Sequence, residues 1–256
     1  MSPESRIPDE ILSYVLSVEE NLFAELSAST RLEEVGKGRR GAVLSKIDEA
    51  GGVPLVRTTT QYESPAQCFQ AVHERLARQI EERAAISVGF NNALVETYTN
   101  AYTRMGSHSD QALDLADDSF IAVFSCYRHP EVIPPRKLVF ESKGAGAEAF
   151  EIPLDHNSFV AFSVGSNRRF RHKIVLDDPG RRADNQWLGV TFRTSKTLVR
   201  FRDGNAYLPQ GPRLVSADDE QRREFYRLRR RENNETDFTY PLLTYTLSES
   251  DLMPPI

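Results

Sequence analysis

Cysteine is nearly absent: Cys68 and Cys126 are the two in 256 residues, with no C-x-x-C spacing. That excludes a disulfide framework and predicts reduced thiols. Long apolar runs are missing too, since no window approaches the roughly 18 residues of a membrane span. The opening MSPESRIPDE lacks the basic start and apolar stretch of an export signal, so a cytoplasmic protein with no membrane partner is expected. Nor is there an excess of positive charge. The 32 Lys and Arg against 37 Asp and Glu give a net charge of -5, which weighs against DNA or RNA, whose binders usually carry a basic face. Internal repeats and low-complexity segments are likewise missing. What is present is an ordinary globular composition, 39% apolar and 27% charged, in a chain long enough to bury one full core.

Helical periodicity lies toward the ends of the chain. Ile11, Val15, Val18, Leu22 and Leu26 recur at helical steps behind Pro8 and predict an amphipathic helix over 9–27. A second helix is expected from Ser64-Pro65, as N-cap and first-turn proline, to about Arg83, with Phe69, Val72, Leu76 and Ile80 on one face. Between them VGKGRRGAV (35–43) lacks the G-x-x-x-x-G-K-[ST] order of a phosphate cradle. It reads first as a mobile loop and second as a substrate lid. A third helix is placed after Ser216, where SADDEQRREFYRLRRREN has a serine N-cap, acids in the first turn and arginines toward the end. Its interleaved charges read as a solvated face before an anion site.

From residue 90 to about 200 the pattern changes to short apolar runs: ALVETY, SFIAVFSCY, RKLVFES, NSFVAFSV, HKIVL and WLGVTFRT, separated by Pro, Gly, Asn and Asp. Such a series predicts a mainly β fold with flanking helices, its core a double-stranded β-helix (jelly roll) with helices over one outer face. The expected organisation is one domain over 1–256: an N-terminal helical and lid region at 1–89, the jelly-roll core at 90–200 and a C-terminal extension at 201–256.

Within GSHSDQALDL, His108 and Asp110 stand two apart. Two histidines and one carboxylate on one side of a metal leave positions open for other ligands, the arrangement of mononuclear non-haem iron sites. His172, in NRRFRHKIV, is the candidate second histidine; His73, His129 and His156 have no comparable company. Taken alone an H-x-D is weak, because a loop histidine is usually only a hydrogen-bonded surface group.

The surrounding residues add more. FNNALVETYTNAYTRMGSHSDQ (90–111), then FIAVFS, NSFVAFSVGSNRRFRH and VTFR (190–193), resemble in order and spacing the AlkB-like family of Fe(II)/2-oxoglutarate-dependent dioxygenases, over about 53–196. The resemblance implies that His108, Asp110 and His172 ligate Fe(II), and that 2-oxoglutarate and O2 are cosubstrates. It also implies that Tyr98 reaches the 2-oxoglutarate carboxylate and that Arg193 lies in the cosubstrate pocket, where a guanidinium suits bidentate carboxylate recognition. Two positions depart from the pattern. Glu96 stands where the family has asparagine, and Trp187 where it has the first arginine of R-x-x-x-x-x-R. Arg193 then carries the salt bridge alone or with Arg171 or Lys173, and Trp187 fills the space of the missing arginine.

Related halogenating enzymes replace the carboxylate ligand, so a retained Asp110 implies hydroxylation or another C–H oxidation coupled to decarboxylation of 2-oxoglutarate. The acidic chain favours a small-molecule substrate, an anionic or nucleotide-like metabolite of a biosynthetic pathway, met by Arg168, Arg169 or Arg171 and by Glu96. The alternatives are an oxidative demethylase of nucleic-acid bases and a non-catalytic jelly-roll binding protein.

Overall fold

The computed structural model describes residues 10–18, 20–132, 136–144, 149–177 and 185–256. In chain order it forms β1 (Ile11–Val15), α1 (Leu22–Ser29), β2 (Glu33–Gly36), β3 (Arg39–Ser45), β4 (Val53–Pro54), β5 (Gln67–Cys68) and α2 (Ala71–Ala84). The apolar runs follow as β6 (Asn92–Tyr98), β7 (Phe120–Tyr127), β8 (Arg136–Ser142), β9 (Ala149–Pro153), β10 (Ser158–Ser163), the short α3 (Val164–Arg169), β11 (Phe170–Leu176) and β12 (Trp187–Arg193). The larger sheet has the order β1-β10-β7-β12-β6-β3-β2, with antiparallel neighbours, and β5 joins β3 in parallel. The smaller sheet is β11-β8-β9.

Two cores explain why the central strands read as unbroken apolar runs. Tyr98, Val123, Val160, Phe162 and Trp187 point from the larger sheet onto Leu138, Phe140, Phe150 and Ile174 of the smaller one. Their neighbours Val95, Phe124, Phe159, Val190 and Phe192 point the other way, against Leu22 and Leu26 of α1 and Leu76 and Ile80 of α2. A strand covered on both faces needs apolar residues at every position, so the usual alternation disappears. Two facing sheets with helices over one outer face is the expected jelly-roll arrangement.

The ends depart from expectation. Residues 11–15 form an edge strand on β10, not the first half of a helix over 9–27, and Pro8 lies outside the described residues. The apolar spacing there fits either period, and the β-branched and aromatic residues of ILSYV gain more from pairing with an exposed sheet edge. The helix begins afresh at Asn21, whose side chain accepts from Ala24 N at 3.1 Å. Segment 35–43 is a hairpin in the sheet, not a loop or lid; its turn glycine, Gly38, has φ +72° and lies so close to Thr99 and Ala101 that no side chain fits. Region 1–89 therefore supplies sheet strands as well as helices.

Ser64-Pro65 lies outside any helix and leads into β5. The second helix starts at Gln70, capped reciprocally by His73. The third is capped by Asp218, not Ser216, in a box with Gln221. Beyond the jelly roll, β13 (Leu198–Arg202) and β14 (Asn205–Tyr207) form a hairpin, and β15 (Val215–Ser216) pairs in parallel with β16 (Tyr245–Thr246). Between β15 and β16, α4 (Asp219–Asn234) packs Phe225 and Leu228 on Leu243, Tyr245 and Leu247.

Candidate metal centre and active site

His108 belongs to no regular strand, yet its backbone pairs with that of His172 on β11, His108 N to His172 O at 2.9 Å and His172 N to His108 O at 2.6 Å. This bridge brings the rings to 4.7 Å between centroids. Asp110 is fixed by Asn167 of α3, which accepts from Asp110 N at 2.7 Å and donates to Asp110 O at 2.8 Å. As a result Asp110 Oδ1 lies 3.6 Å from Nε2 of both histidines, and ligand atoms of the three side chains lie within 4.8 Å of one another.

Protonation suits a metal. His108 Nδ1 faces Gly106 O at 2.9 Å, which places a proton on Nδ1 and turns Nε2 toward Asp110. Burial lowers the His172 pKa, only partly offset by Asp110, so its imidazole is neutral. Burial alone would raise the Asp110 carboxyl; Arg193, with His108 and His172, overrides it and holds the group well below the usual carboxylate range. Neutral imidazoles and an ionised carboxylate are the forms that bind metal. His172 Nδ1 is buried without a hydrogen-bond partner, which leaves this ring held only by packing and by whatever meets Nε2.

The C-terminal helix holds the ligand loop from behind. Arg229 Nη2 donates to Ser109 O at 2.7 Å, Asn233 Oδ1 accepts from Ser109 N at 2.8 Å and Glu232 Oε1 accepts from Ala112 N at 2.8 Å. Arg229 also ion-pairs with Glu232, to which Tyr240 donates at 2.6 Å. The sequence RLRRRENN thus does not form a wholly solvated face: Arg229 and Glu232 are buried and Arg229 lines the cavity. The available signal was the acid three residues after the arginine, a spacing that puts both on one helix face.

Of the positions that depart from the family pattern, Glu96 lies at the other end of the cavity and Trp187 does not line it. Glu96 Oε2 accepts from the buried Tyr98 hydroxyl at 2.7 Å, and Glu96 Oε1 accepts from Arg39 Nε at 2.7 Å. Arg39, in the segment read as a loop, also donates to Thr60 Oγ1 at 3.1 Å. Trp187 is buried against Tyr98, ring centroids 4.7 Å apart, and donates to Ser125 Oγ at 2.7 Å. Its indole lies over Gly189, where an added Cβ would come within 2.0 Å of the ring. Arg193 directs Nε and Nη2 to Asp110 Oδ2, at 2.7 and 2.6 Å, so these donors serve the carboxylate of the candidate metal site.

A cavity of about 90 Å³ joins these groups, lined by the triad, Glu96, Gln111 and Arg193 among others. Arg168 and Arg169 do not line it; they pair with Asp117 and Glu10 at exposed positions. Arg171 and Lys173 flank His172 on β11, with side chains on the opposite face, and Lys173 pairs with Glu141. Residues outside the expected site also line it, among them Arg39, Arg57 and Gln111.

A profile of the 2OG-Fe(II) oxygenase superfamily matches residues 35–193. The chain belongs to this superfamily, whose members use Fe(II), 2-oxoglutarate and O2. Among solved structures it is similar to OsALKBH1 (13% identity, TM-score 0.49, covering 74% of this chain and 98% of that one). It is also similar to a Pseudomonas putida prolyl-4-hydroxylase (16% identity, TM-score 0.41, 72% and 92% covered). No curated protein sequence matches it. Among the described residues no helix is long and apolar enough to cross a membrane.

Proposed function

We propose that the protein is an Fe(II)/2-oxoglutarate oxygenase that hydroxylates a small molecule, with His108, Asp110 and His172 as the iron ligands. The observation that carries this is the donor set itself: two imidazoles and one ionised carboxylate converging in a cavity, with backbone hydrogen bonds fixing each ligand residue. Iron bound there, with 2-oxoglutarate and O2, supplies the oxidising chemistry, in which R–H becomes R–OH while 2-oxoglutarate becomes succinate and CO2. The chain's own work is positional. Arg193 keeps Asp110 ionised and aimed, and the Asn167 clamp fixes its backbone.

Charge bears on the substrate. Arg39, Arg57, Arg193 and Arg229 line the cavity, and each faces a carboxylate, on Glu96, Asp114, Asp110 and Glu232 respectively. This supports a substrate of no net charge over the anionic one expected from Arg168, Arg169 and Arg171. Gln111 supports a polar one: its amide oxygen and nitrogen are both buried, unpartnered and at the cavity wall, so a group offering one acceptor and one donor would satisfy them. The outward arginines Arg168, Arg169 and Arg231 are each engaged by a carboxylate, which disfavours a phosphate backbone.

The test is anaerobic addition of 2-oxoglutarate to the Fe(II) protein, reading the visible metal-to-ligand charge-transfer band in wild type, Asp110→Ala and Arg193→Ala. A band in wild type that weakens in both variants is expected. Iron binding without a band sinks the oxygenase reading. Oligonucleotide binding that is tight and falls steeply with salt would replace the small molecule by a nucleic-acid base.

A further inference from the structure

Glu96 is a carboxylate seated among donors of the kind that a cosubstrate carboxylate needs. One oxygen takes Arg39, the other takes the Tyr98 hydroxyl, and its side chain is 6% exposed. A third donor stands beside them. Gly41 lies directly opposite Glu96 in the β3–β6 register, and the space its missing side chain leaves is filled by Tyr62, whose hydroxyl is 2.8 Å from where a Cβ would sit. Tyr62 is buried, feels the charges of Glu96, Arg39 and Arg193, and its hydroxyl has no hydrogen-bond partner. Leaving a buried hydroxyl unsatisfied is costly, so the cluster offers one donor more than Glu96 uses.

Arg193, the other guanidinium on this wall, is committed to Asp110, and the indole of Trp187 has only its N–H to donate, already given to Ser125. Arg39 is therefore the guanidinium nearest to hand whose carboxylate partner is not a candidate metal ligand and holds no backbone group. We propose that Arg39, Tyr98 and Tyr62 form the subsite for the distal carboxylate of 2-oxoglutarate, and that Glu96 is an internal carboxylate competing for it. The proposal rests on the oxygenase reading above. Its consequence is unusual: the wild-type protein binds 2-oxoglutarate weakly, because a second carboxylate entering beside Glu96 meets a like charge in a poorly solvated place. Neutralising Glu96 then tightens binding, although it removes a buried ion-pair partner.

The experiment is calorimetric titration of 2-oxoglutarate into the Mn(II)-loaded wild type, Glu96→Gln, Arg39→Ala/Glu96→Gln and Tyr62→Phe/Glu96→Gln, with Mn(II) affinity and thermal unfolding measured on each. Expected is binding at least roughly tenfold tighter in Glu96→Gln than in wild type, a change worth about 1.4 kcal/mol. Removing Arg39 in that background should lose the gain and at least another tenfold, and removing the Tyr62 hydroxyl a smaller part. The double variants matter because Arg39→Ala alone would strand Glu96 unpaired and confuse folding with binding. If Glu96→Gln binds no more tightly than wild type, or the Arg39 double variant binds as well as Glu96→Gln, the subsite is not here and the oxygenase reading stands. If all four bind Mn(II) and none binds 2-oxoglutarate, both proposals fall.

Discussion

The two ends of the cavity use the same pairing, arginine against carboxylate, and use it differently. At the metal end the charged groups also grip backbone: Arg229 holds Ser109 O, Glu232 holds Ala112 N, and Asn167 holds both polar atoms of the Asp110 peptide. The loop between His108 and Ala112 cannot shift without breaking several of these. At the other end Arg39, Glu96, Tyr98 and Thr60 bind one another through side chains alone. Charges that hold backbone fix a geometry, whereas charges that hold only each other form a set that another carboxylate can re-partition. In the proposed reading, that is the physical sense in which one end suits a resident metal and the other an exchanging cosubstrate.

The sharpest way to break this comparison is Arg229→Ala. It strands the buried Glu232 carboxylate with only Tyr240 and Ala112 N, and removing one partner of a buried pair typically costs about 3–5 kcal/mol. Because the released groups orient the ligand loop, metal affinity should also fall, by about 10–100-fold as for other lost outer partners. Denaturant unfolding and Mn(II) titration read the two effects. Lost stability with unchanged affinity would make α4 a brace for the fold alone and dissolve the distinction between the ends.

Gly189→Ala probes the other end with a smaller effect. The new Cβ must displace the Trp187 indole, which has Tyr98 on one side and the Ser125 hydrogen bond to keep. Overpacking of this kind costs about 1–3 kcal/mol. The displaced ring should disturb Tyr98 and hence 2-oxoglutarate affinity more than Mn(II) affinity, the reverse of Arg229→Ala. Trp187→Phe in the same chain, by making room, should restore part of the stability. Equal losses of both affinities would mean that the two ends are one coupled unit.

How much of this could be read from the sequence follows from what each feature depends on. The strands of 90–200 were legible because burial on both faces writes itself as uninterrupted apolar runs, and the triad was legible because the residues around H-x-D and His172 resemble a known family in order and spacing. β1 was not, since its spacing satisfies a helix as well, and only an edge of β10 waiting to be paired decides between them. Arg39 was hidden inside a glycine-rich basic stretch whose hairpin depends on Gly38 fitting against Thr99 and Ala101, a contact more than fifty residues away in the chain. Arg229 was hidden among neighbours of identical type. Trp187 was read as filling the missing arginine's space; its packing on Tyr98 accounts for the ring, and Gly189 accounts for the room. Local pattern thus reached the His108–Asp110–His172 end, while the Arg39–Glu96 end is written in long-range pairings.

The smallest effect lies outside both ends and separates acid loss of the site from acid loss of the fold. His73 caps α2 through Nδ1, which accepts from Gln70 N at 3.0 Å, and its Nε2 meets Ser29 Oγ at 3.1 Å under the outer face of the sheet. Burial lowers its pKa to about 4 from an ordinary 6.5, with Glu25 only partly opposing. Because the folded value is the lower one, the unfolded chain binds the proton first. The contribution of the neutral ring is full above pH 6.5 and drains as pH falls from there toward 4. At pH 5.5 the loss from this residue is about 1.4 kcal/mol. His73→Gln, which lacks the titrating ring, should be less stable than wild type at pH 8, with the gap narrowing by that amount at pH 5.5 in urea unfolding. Mn(II) affinity should differ little between the two at either pH, because α2 lies on the face of the sheet opposite the cavity. A gap that stays constant with pH would mean that acid acts elsewhere in the fold, and the carboxylate pairs lining the cavity would then be the place to look.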